Sequence, residues 1–266
     1  MKLFAQLAIF ALLLTGLSGG LSSVAHATII KKDVDYHLAG RNFQGYLAYN
    51  DALKGPRPGV LVTPDWMGMT DKVKARADML ADLGYVAFVA DVFGKNNQPK
   101  NQEEAAQIAG GFKKDRILTR SHMQQALKTL RDLPQVDKNR IDVIGYCFGG
   151  LAALELARAG ADIKGVVTFH GSLDSPRPED AKRIKGKVLA LHGADDPYVT
   201  AADVAGFETE MRNAKLDWRL VKYGNAVHSF TDKTAGTDNS KGAAYNADAD
   251  RRSWIELLNF FKETID

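Results

Sequence analysis

The sequence contains a single cysteine, Cys147, among 266 residues. One cysteine cannot form a disulfide within its own chain, so a fold held together by internal disulfides is excluded. The same count excludes a Cys-x-x-Cys redox motif and a zinc site built on paired cysteines, and the six histidines do not fall at zinc-like spacings. We therefore expect no metal site. The lone thiol is either a buried, inert side chain or a group kept for its chemistry.

An excess of charge of one sign is also lacking. The chain has 35 basic and 32 acidic residues, which gives a formal net charge of +3. The basic residues are scattered, and a short run such as Lys113-Lys114-Asp115-Arg116 is typical of a solvated helix face. The charge pattern therefore predicts no nucleic-acid partner.

No glycine-rich stretch matches a phosphate-binding fingerprint. The candidate stretch, Gly145-Tyr146-Cys147-Phe148-Gly149-Gly150, lacks the Gly-x-Gly start that a dinucleotide loop requires. We therefore expect any reaction of this protein to need no cofactor.

Long apolar runs are confined to the first residues of the sequence. Met1-Lys2 precedes an apolar run over residues 3–17, and Ala25-His26-Ala27 has the form of a cleavage site. This order predicts a secretory signal peptide over residues 1–27 and export to a bacterial periplasm or the medium. An uncleaved membrane anchor is the alternative, but the run is short and glycines interrupt it. No later segment approaches about 18 apolar residues, so we expect no membrane association after cleavage.

Residues 28–266 read as one α/β domain without internal repeats or a linker. Apolar runs that predict strands alternate with amphipathic segments that predict helices, which favours a mostly parallel central sheet with helices on both faces. A hairpin is predicted at 30–38 and 42–49. Further strands are predicted at 59–63, 85–90, 140–144, 166–169, 188–191 and 217–223.

The predicted helices separate these strands. We expect a helix from Thr70 or Asp71 to 83, a helical region broken at Gly110-Gly111 that ends before Pro134, and further helices at 151–158, 201–213 and 243–264. In sheets of this kind, ligands bind beyond the carboxyl ends of the strands. Cys147 follows one of these ends.

The segment around Cys147 predicts a nucleophile elbow. A buried strand leads into Gly145-Tyr146-Cys147-Phe148-Gly149-Gly150, and a helix follows directly. Gly145 and Gly149 allow the strand and the helix to approach closely, so the residue between them sits on a sharp turn with its side chain exposed. The pattern usually carries serine, and here sulfur takes that place.

A thiol attacks as a thiolate and therefore needs a base, which a carboxylate must orient. His228 is the histidine after Cys147 that lies in a loop beyond the last predicted strand, so it is the candidate base. His170 and His192 end earlier strands, where structural roles are more common. For the acid, Asp195 and Asp196 both lie in the loop after the strand at 188–191, and either can reach a histidine or cap the turn before Pro197.

Three segments together resemble the dienelactone hydrolase family: the Gly-x-Cys-x-Gly elbow, His192-Gly193-Ala194-Asp195-Asp196-Pro197, and His228-Ser229-Phe230. The resemblance covers essentially all of residues 28–266 and implies an α/β-hydrolase fold. It also implies a catalytic triad of Cys147, His228 and the aspartate that matches Asp196. The implied reaction is hydrolysis of a small ester or lactone through a thioester acyl-enzyme.

The family also places an acidic residue, usually glutamate, just after the strand that corresponds to 59–63. Asp65 stands there in this sequence, one methylene shorter, and it either helps to form the thiolate or caps the following turn. By the same match, the backbone N–H groups of Trp66 and Phe148 are expected to form the oxyanion hole, which stabilises a tetrahedral intermediate.

The residues that would bind substrate depart from the family. Members that cleave dienelactone hold its carboxylate with arginines, and this sequence has no clear match for them; Lys233, Arg116 and Arg120 are candidate substitutes. Aromatic side chains are candidates for a more apolar pocket or, alternatively, for the core: Trp66, Phe93, Tyr198 and Phe230.

Two other functions remain open at this level. The scaffold is also compatible with a non-catalytic ligand-binding module, and Cys147 with a thiol-redox role that would need an external thiol. The sequence does not specify an oligomer, so a monomer is the default.

Overall fold

Eight strands form one sheet in the computed structural model, which describes residues 28–266. The predicted signal peptide, residues 1–27, lies outside the described residues. The strands are β1 Ile29–Leu38, β2 Arg41–Asn50, β3 Arg57–Thr63, β4 Val86–Val89, β5 Val136–Tyr146, β6 Gly165–Phe169, β7 Lys187–Gly193 and β8 Trp218–Tyr223. Their order in the sheet is β1-β2-β4-β3-β5-β6-β7-β8.

The sheet is mostly parallel, as predicted. β1 and β2 form the expected antiparallel hairpin, and β2 also pairs antiparallel with β4. All other neighbours are parallel. β3 to β8 therefore end at one edge of the sheet, where β5 leads into the elbow and β7 and β8 lead into the loops with the candidate acid and base.

Helices cover both faces of the sheet. They are α1 Asp71–Asp82, α2 Gln102–Lys114, α3 Arg116–Asp132, α4 Phe148–Arg158, α5 Ala201–Asn213 and α6 Ala247–Thr264. Residues of α1 and α6 pack against one face, and residues of α2 to α5 pack against the other. Strand side chains alternate between the two cores: Val60 and Val62 face α1 and α6, whereas Leu61 faces the opposite side.

The predicted helix break at Gly110-Gly111 is wrong. α2 runs through both glycines, which lie in open space, so the helix tolerates them at a cost of about 1 kcal/mol each. The chain breaks instead at Asp115, whose backbone is not helical (φ −97°, ψ 82°). The Asp115 side chain accepts a hydrogen bond from Leu118 N at 2.9 Å and so begins α3.

The last helix also begins later than predicted. Asn246 caps α6 by accepting a hydrogen bond from Ala249 N at 3.0 Å. Ala243 instead pairs with His228 in a short β-bridge, which draws the preceding segment over the histidine. Within the described residues, no helix has the length and apolar character needed to cross a membrane.

Candidate active site

Cys147 lies on the sharp turn between β5 and α4, with φ 53° and ψ −120°. Non-glycine residues rarely adopt a positive φ, so the backbone is strained at Cys147. Cys147 N donates to Phe169 O at 3.0 Å, which ties the turn to the end of β6. The thiol is partly exposed. This geometry is that of the predicted elbow.

Two glycines make the turn possible. A Cβ atom at Gly145 would lie 2.1 Å from Gly149 O, and one at Gly149 would lie 2.3 Å from the carbonyl oxygens of Thr63 and Pro64. These separations are too short for any side chain. The close approach of strand and helix that the sequence predicts is therefore present.

His228 connects the cysteine to a carboxylate. Its Nε2 lies 3.0 Å from Cys147 Sγ, and its Nδ1 lies 2.8 Å from Asp196 Oδ2. The Asp196 side chain is fully buried, and its second oxygen accepts a hydrogen bond from Tyr198 N at 2.8 Å. Asp195 is exposed instead, so of the two candidate acids Asp196 is the one that contacts His228.

The electrostatics favour a protonated His228. Burial lowers the pKa of His228, but the neighbouring Cys147 charge and the Asp196 hydrogen bond outweigh it and raise the pKa to about 10. The imidazole therefore holds its proton near neutral pH while it faces the sulfur. A protonated imidazole within hydrogen-bond distance of a sulfur is an arrangement typical of nucleophilic cysteines.

Backbone hydrogen bonds on one side and the Tyr198 ring on the other hold His228 in place. His228 N donates to Gly242 O at 3.2 Å, and Ala244 N donates to His228 O at 3.0 Å. The Tyr198 ring lies 5.3 Å from the imidazole at an angle of 84°. The histidine is thus held between a backbone bridge and an aromatic edge.

Cys147 opens into a cavity of about 370 Å³ between α1 and the loop after His228. Its lining combines Trp66, Val73, Ala75 and Met79 with charged and polar side chains. These are Asp65, Lys72, Arg76, Tyr146, His170, Ser229, Thr231, Asp232, Lys233, Thr234 and Asp250.

Comparison with known proteins identifies the group to which this arrangement belongs. The model of the dienelactone hydrolase family matches residues 43–265. The chain belongs to the dienelactone hydrolase family.

Solved structures agree with the assignment of this protein to the dienelactone hydrolase family. The protein named m3DLH is 39% identical, with a TM-score of 0.86 over 90% of this chain and 99% of its own. A dienelactone hydrolase-like promiscuous phosphotriesterase from metagenomic libraries is 40% identical, with a TM-score of 0.84 over 90% of this chain and 99% of its own. The predicted α/β-hydrolase fold is thereby confirmed.

A curated relative is similar over nearly the same length. The Bradyrhizobium sp. protein named "Probable 2-oxo-3-(5-oxofuran-2-ylidene)propanoate lactonase" is 29% identical over 249 residues, 90% of this chain and 96% of that protein. The likeness therefore extends across the sheet and all three segments that the sequence singled out.

The expected oxyanion donors belong to the start of α4 and to the loop after β3. Phe148 is the first residue of α4, so its N–H has no acceptor within the helix. Trp66 lies in the loop after β3, and its side chain lines the cavity. No acceptor within residues 28–266 takes the Trp66 N–H.

Asp65 shares the cavity with Cys147, but its hydrogen bonds are those of a turn. Its Oδ1 accepts from Met67 N at 2.8 Å, and its Oδ2 lies 3.5 Å from Lys72 Nζ. Among the described residues, no hydrogen bond joins this carboxylate to the sulfur. Asp65 therefore caps the turn that follows it, which is one of the two roles that the sequence leaves open for this residue.

Of the aromatic candidates for the pocket, Phe93 and Phe230 lie in the core, the alternative that the sequence leaves open for them, and Tyr198 does not line the cavity. Phe230 is fully buried between His170 and Tyr223, because its side chain points into the core beneath α6 rather than into the cavity. Phe93 is likewise buried, against Phe112 and Phe148. Tyr198 is 60% exposed and contacts His228 from outside the cavity. Trp66 and Lys233 do line it.

Arg116 and Arg120 do not substitute for the family arginines. Both pair with Glu155 of α4, Arg116 also with Asp174, and Arg120 also with Asp180. These ion pairs hold α3 against the elbow helix on the far face of the sheet. Both guanidinium groups are therefore engaged in ion pairs that stabilise the fold.

The sequence reasoning missed Lys72 and Arg76. They occupy one face of α1 at i and i+4, a spacing that usually marks a solvated surface. Only the packing of the loop after His228 against α1 turns that face into a cavity wall. The one hint in the sequence that these residues lie near the site is that both follow Asp65 closely.

His170 and His192 are both buried at the ends of their strands. His170 Nε2 lies 2.8 Å from Thr231 Oγ1, and burial lowers the pKa of His170 well below its usual value. Burial likewise lowers the pKa of His192. The described residues contain no group of three or more His, Cys, Asp or Glu side chains placed to hold a metal ion.

Proposed function

We propose that this hydrolase cleaves small carboxylic esters or lactones with Cys147 as nucleophile. His228 acts as the general base and acid, and Asp196 orients the imidazole. The 3.0 Å contact between His228 Nε2 and Cys147 Sγ carries the proposal, because it joins a protonated imidazole to the sulfur.

In the first half of the proposed reaction, the thiolate attacks the substrate carbonyl carbon and a C–S bond forms. The N–H groups of Trp66 and Phe148 stabilise the oxyanion, by about 3–4 kcal/mol each when well placed. The intermediate then breaks its C–O bond, and His228 donates its proton to the leaving oxygen. A thioester remains on Cys147.

In the second half, His228 accepts a proton from water, and the hydroxide attacks the thioester carbonyl carbon. The C–S bond breaks, the carboxylic acid leaves, and the thiolate forms again beside the imidazolium. In a lactone, the alcohol stays joined to the acyl group through the carbon chain, so a single hydroxy acid leaves in this step. No cofactor enters either half.

The named relatives set the breadth of the substrate screen. One carries the name of a lactonase and another that of a promiscuous phosphotriesterase. A screen of p-nitrophenyl esters, thioesters, lactones and one phosphotriester therefore covers the chemistry that the comparisons suggest.

The decisive variant is Cys147→Ala, assayed beside wild type on this screen. We expect turnover of at least one ester or lactone by wild type and loss of at least about 10³-fold in the variant, since the nucleophile is removed. Rapid quenching and mass spectrometry should detect an acyl adduct on Cys147. Equal inactivity of both proteins across the screen would refute the proposal.

Two competing functions have distinct signatures. A non-catalytic binding module predicts stoichiometric ligand binding with a Cys147 that iodoacetamide labels slowly. A thiol-redox role predicts mixed disulfides with an external thiol. The thiolate–imidazolium pair favours rapid alkylation and hydrolysis instead.

We also propose that residues 28–266 form one exported domain after cleavage at residue 27, as a monomer in the periplasm or the medium. The support is the order of basic, apolar and small residues at the start of the sequence. N-terminal sequencing of the protein from cell fractions tests the cleavage and the compartment.

A further inference from the structure

The charges that line the cavity beside Cys147 cancel. Three cationic side chains, Lys72, Arg76 and Lys233, stand against three carboxylates, Asp65, Asp232 and Asp250. The formal charge of these six side chains is therefore zero. The strong hydrogen bonds to a carboxylate come from an unpaired cation, above all from a guanidinium that can bind it through two N–H groups.

Arg76 is the most buried of these three cations, and it forms an ion pair with Asp250. Arg76 Nη2 lies 2.8 Å from Asp250 Oδ1 and donates to Thr231 O at 2.9 Å. The two side chains are only 16% and 12% exposed, so water screens the pair weakly. A substrate carboxylate that approached Arg76 would meet the Asp250 charge at the same place.

Lys72 is also paired with carboxylates of the cavity lining. Its Nζ lies 2.6 Å from Asp232 Oδ2 and 3.5 Å from Asp65 Oδ2. Burial opposes its charge, but these two carboxylates outweigh burial and raise the pKa of Lys72. It is a cation with two carboxylate neighbours.

Lys233 forms no ion pair within the described part of the chain. Its side chain is exposed at the loop after His228, where solvent and salt weaken its field. The apolar part of the lining is formed by Trp66, Val73, Ala75 and Met79. The cavity thus offers a substrate apolar contact and, apart from exposed Lys233, only cations that are already paired with carboxylates.

We propose that this cavity selects neutral substrates over carboxylate-bearing ones, and that Asp250 sets the preference by neutralising Arg76. The inference rests on the proposed ester or lactone hydrolysis at Cys147. It names the substrate class of that site as uncharged esters or lactones with an apolar acyl or alcohol group.

The substitution Asp250→Asn isolates the charge. Asparagine keeps the shape of aspartate and can accept the same Arg76 hydrogen bond, but it leaves the cavity lining with one net positive charge. Arg76 cannot lose its proton in compensation. The variant should therefore attract a substrate carboxylate that the wild type repels.

The test compares p-nitrophenyl hexanoate with mono-p-nitrophenyl adipate, which differ by a terminal carboxylate and share a leaving group. We expect a wild-type kcat/KM at least about tenfold higher for the hexanoate, and a ratio at least about tenfold lower in Asp250→Asn, as one unit charge at a partly exposed site allows. The double variant Arg76→Gln/Asp250→Asn should return the ratio to that of wild type, because the net charge returns to zero.

Asp248→Asn is the matched control. Asp248 lies on the same helix and carries the same charge, but its side chain is 67% exposed and does not line the cavity. Its ratio should stay within about twofold of wild type, because solvent screens the lost charge. A thermal melt of each variant checks folding, and Asp232→Asn tests the same idea at Lys72 if Asp250→Asn does not fold.

The outcomes separate the two proposals. Absence of Cys147-dependent hydrolysis of any ester refutes the proposed function. Hydrolysis with a preference for the adipate, or a ratio that neither Asp250→Asn nor Asp232→Asn lowers, overturns the neutral-substrate inference and leaves the function intact.

Discussion

His228 Nε2 lies 3.0 Å from Cys147 Sγ, across 81 residues of sequence. The two side chains belong to loops beyond different strands of one sheet, and Asp196 holds the imidazole from its other nitrogen. The Cys147 charge is a major contribution that raises the pKa of His228 to about 10. The proton on this imidazole therefore depends on the sulfur.

Replacing Cys147 by serine should lower the pKa of His228. Serine keeps a hydrogen-bonding group but carries no charge near neutral pH, so burial then opposes protonation with only Asp196 to support it. NMR titration of the His228 imidazole in wild type and Cys147→Ser measures the shift, which we expect to exceed about one pH unit. An unchanged titration in a folded variant would contradict the thiolate–imidazolium pair.

Asp196→Asn should cost far more activity than Asp195→Asn. An asparagine beside His228 offers no charge to the imidazolium and favours the wrong tautomer, a change that lowers kcat by about 10⁴-fold in a serine triad. Asp195 is exposed and does not contact His228, so its variant should stay within about twofold of wild type. Steady-state kinetics on one p-nitrophenyl ester compares them, and similar losses in both would refute the assignment of the acid.

The sequence was sufficient for the sheet and for the residues that meet at Cys147. Buried parallel strands read as continuous apolar runs, and the elbow glycines are fixed by close contacts that no side chain can replace. Their order along the chain therefore predicts which loops share an edge of the sheet.

The cavity wall could not be predicted in this way. Lys72 and Arg76 have the pattern of a solvated helix, and their burial depends on a loop more than 150 residues away. Phe230 follows His228 and Ser229 directly, but the turn at Ser229, with φ 58°, points its ring into the core. The direction in which these side chains point depends on tertiary packing rather than on the local sequence pattern.

Gly149→Ala and Gly110→Ala should change stability in opposite directions. A methyl group at Gly149 would meet two backbone oxygens at 2.3 Å, so the elbow must shift, at a cost of about 3 kcal/mol. Gly110 lies within α2 in open space, where alanine should stabilise by about 0.5–1 kcal/mol. Urea unfolding of both variants measures the difference, and a neutral Gly149→Ala would contradict the tight elbow.

Asp142→Asn should stabilise the protein at pH 8 but not at pH 4. Burial raises the pKa of Asp142 to about 7 in the folded state, so the folded protein retains a proton that the unfolded chain releases near pH 4. Wild-type stability then falls as the pH rises through this window. The gain in the variant is at most about 4 kcal/mol above pH 7.

Thermal melts between pH 4 and 8 measure this gain, with Asp137→Asn on the same strand as the contrast. Hydrogen bonds from Asn139 N and Arg140 lower the pKa of Asp137, so its ionised form is favoured by folding and its loss should not stabilise at pH 8. A pH-independent difference between Asp142→Asn and wild type would show that Asp142 is ionised throughout.

The ion pair between Arg76 and Asp250 spans 174 residues and closes one wall of the cavity. During synthesis, α1 and Cys147 emerge long before the residues that supply the base and the second half of this wall. A partly made chain thus carries an uncovered thiol with neither a proton acceptor nor a pocket beside it. The proposed site is therefore complete only in a chain whose α6 has packed against α1.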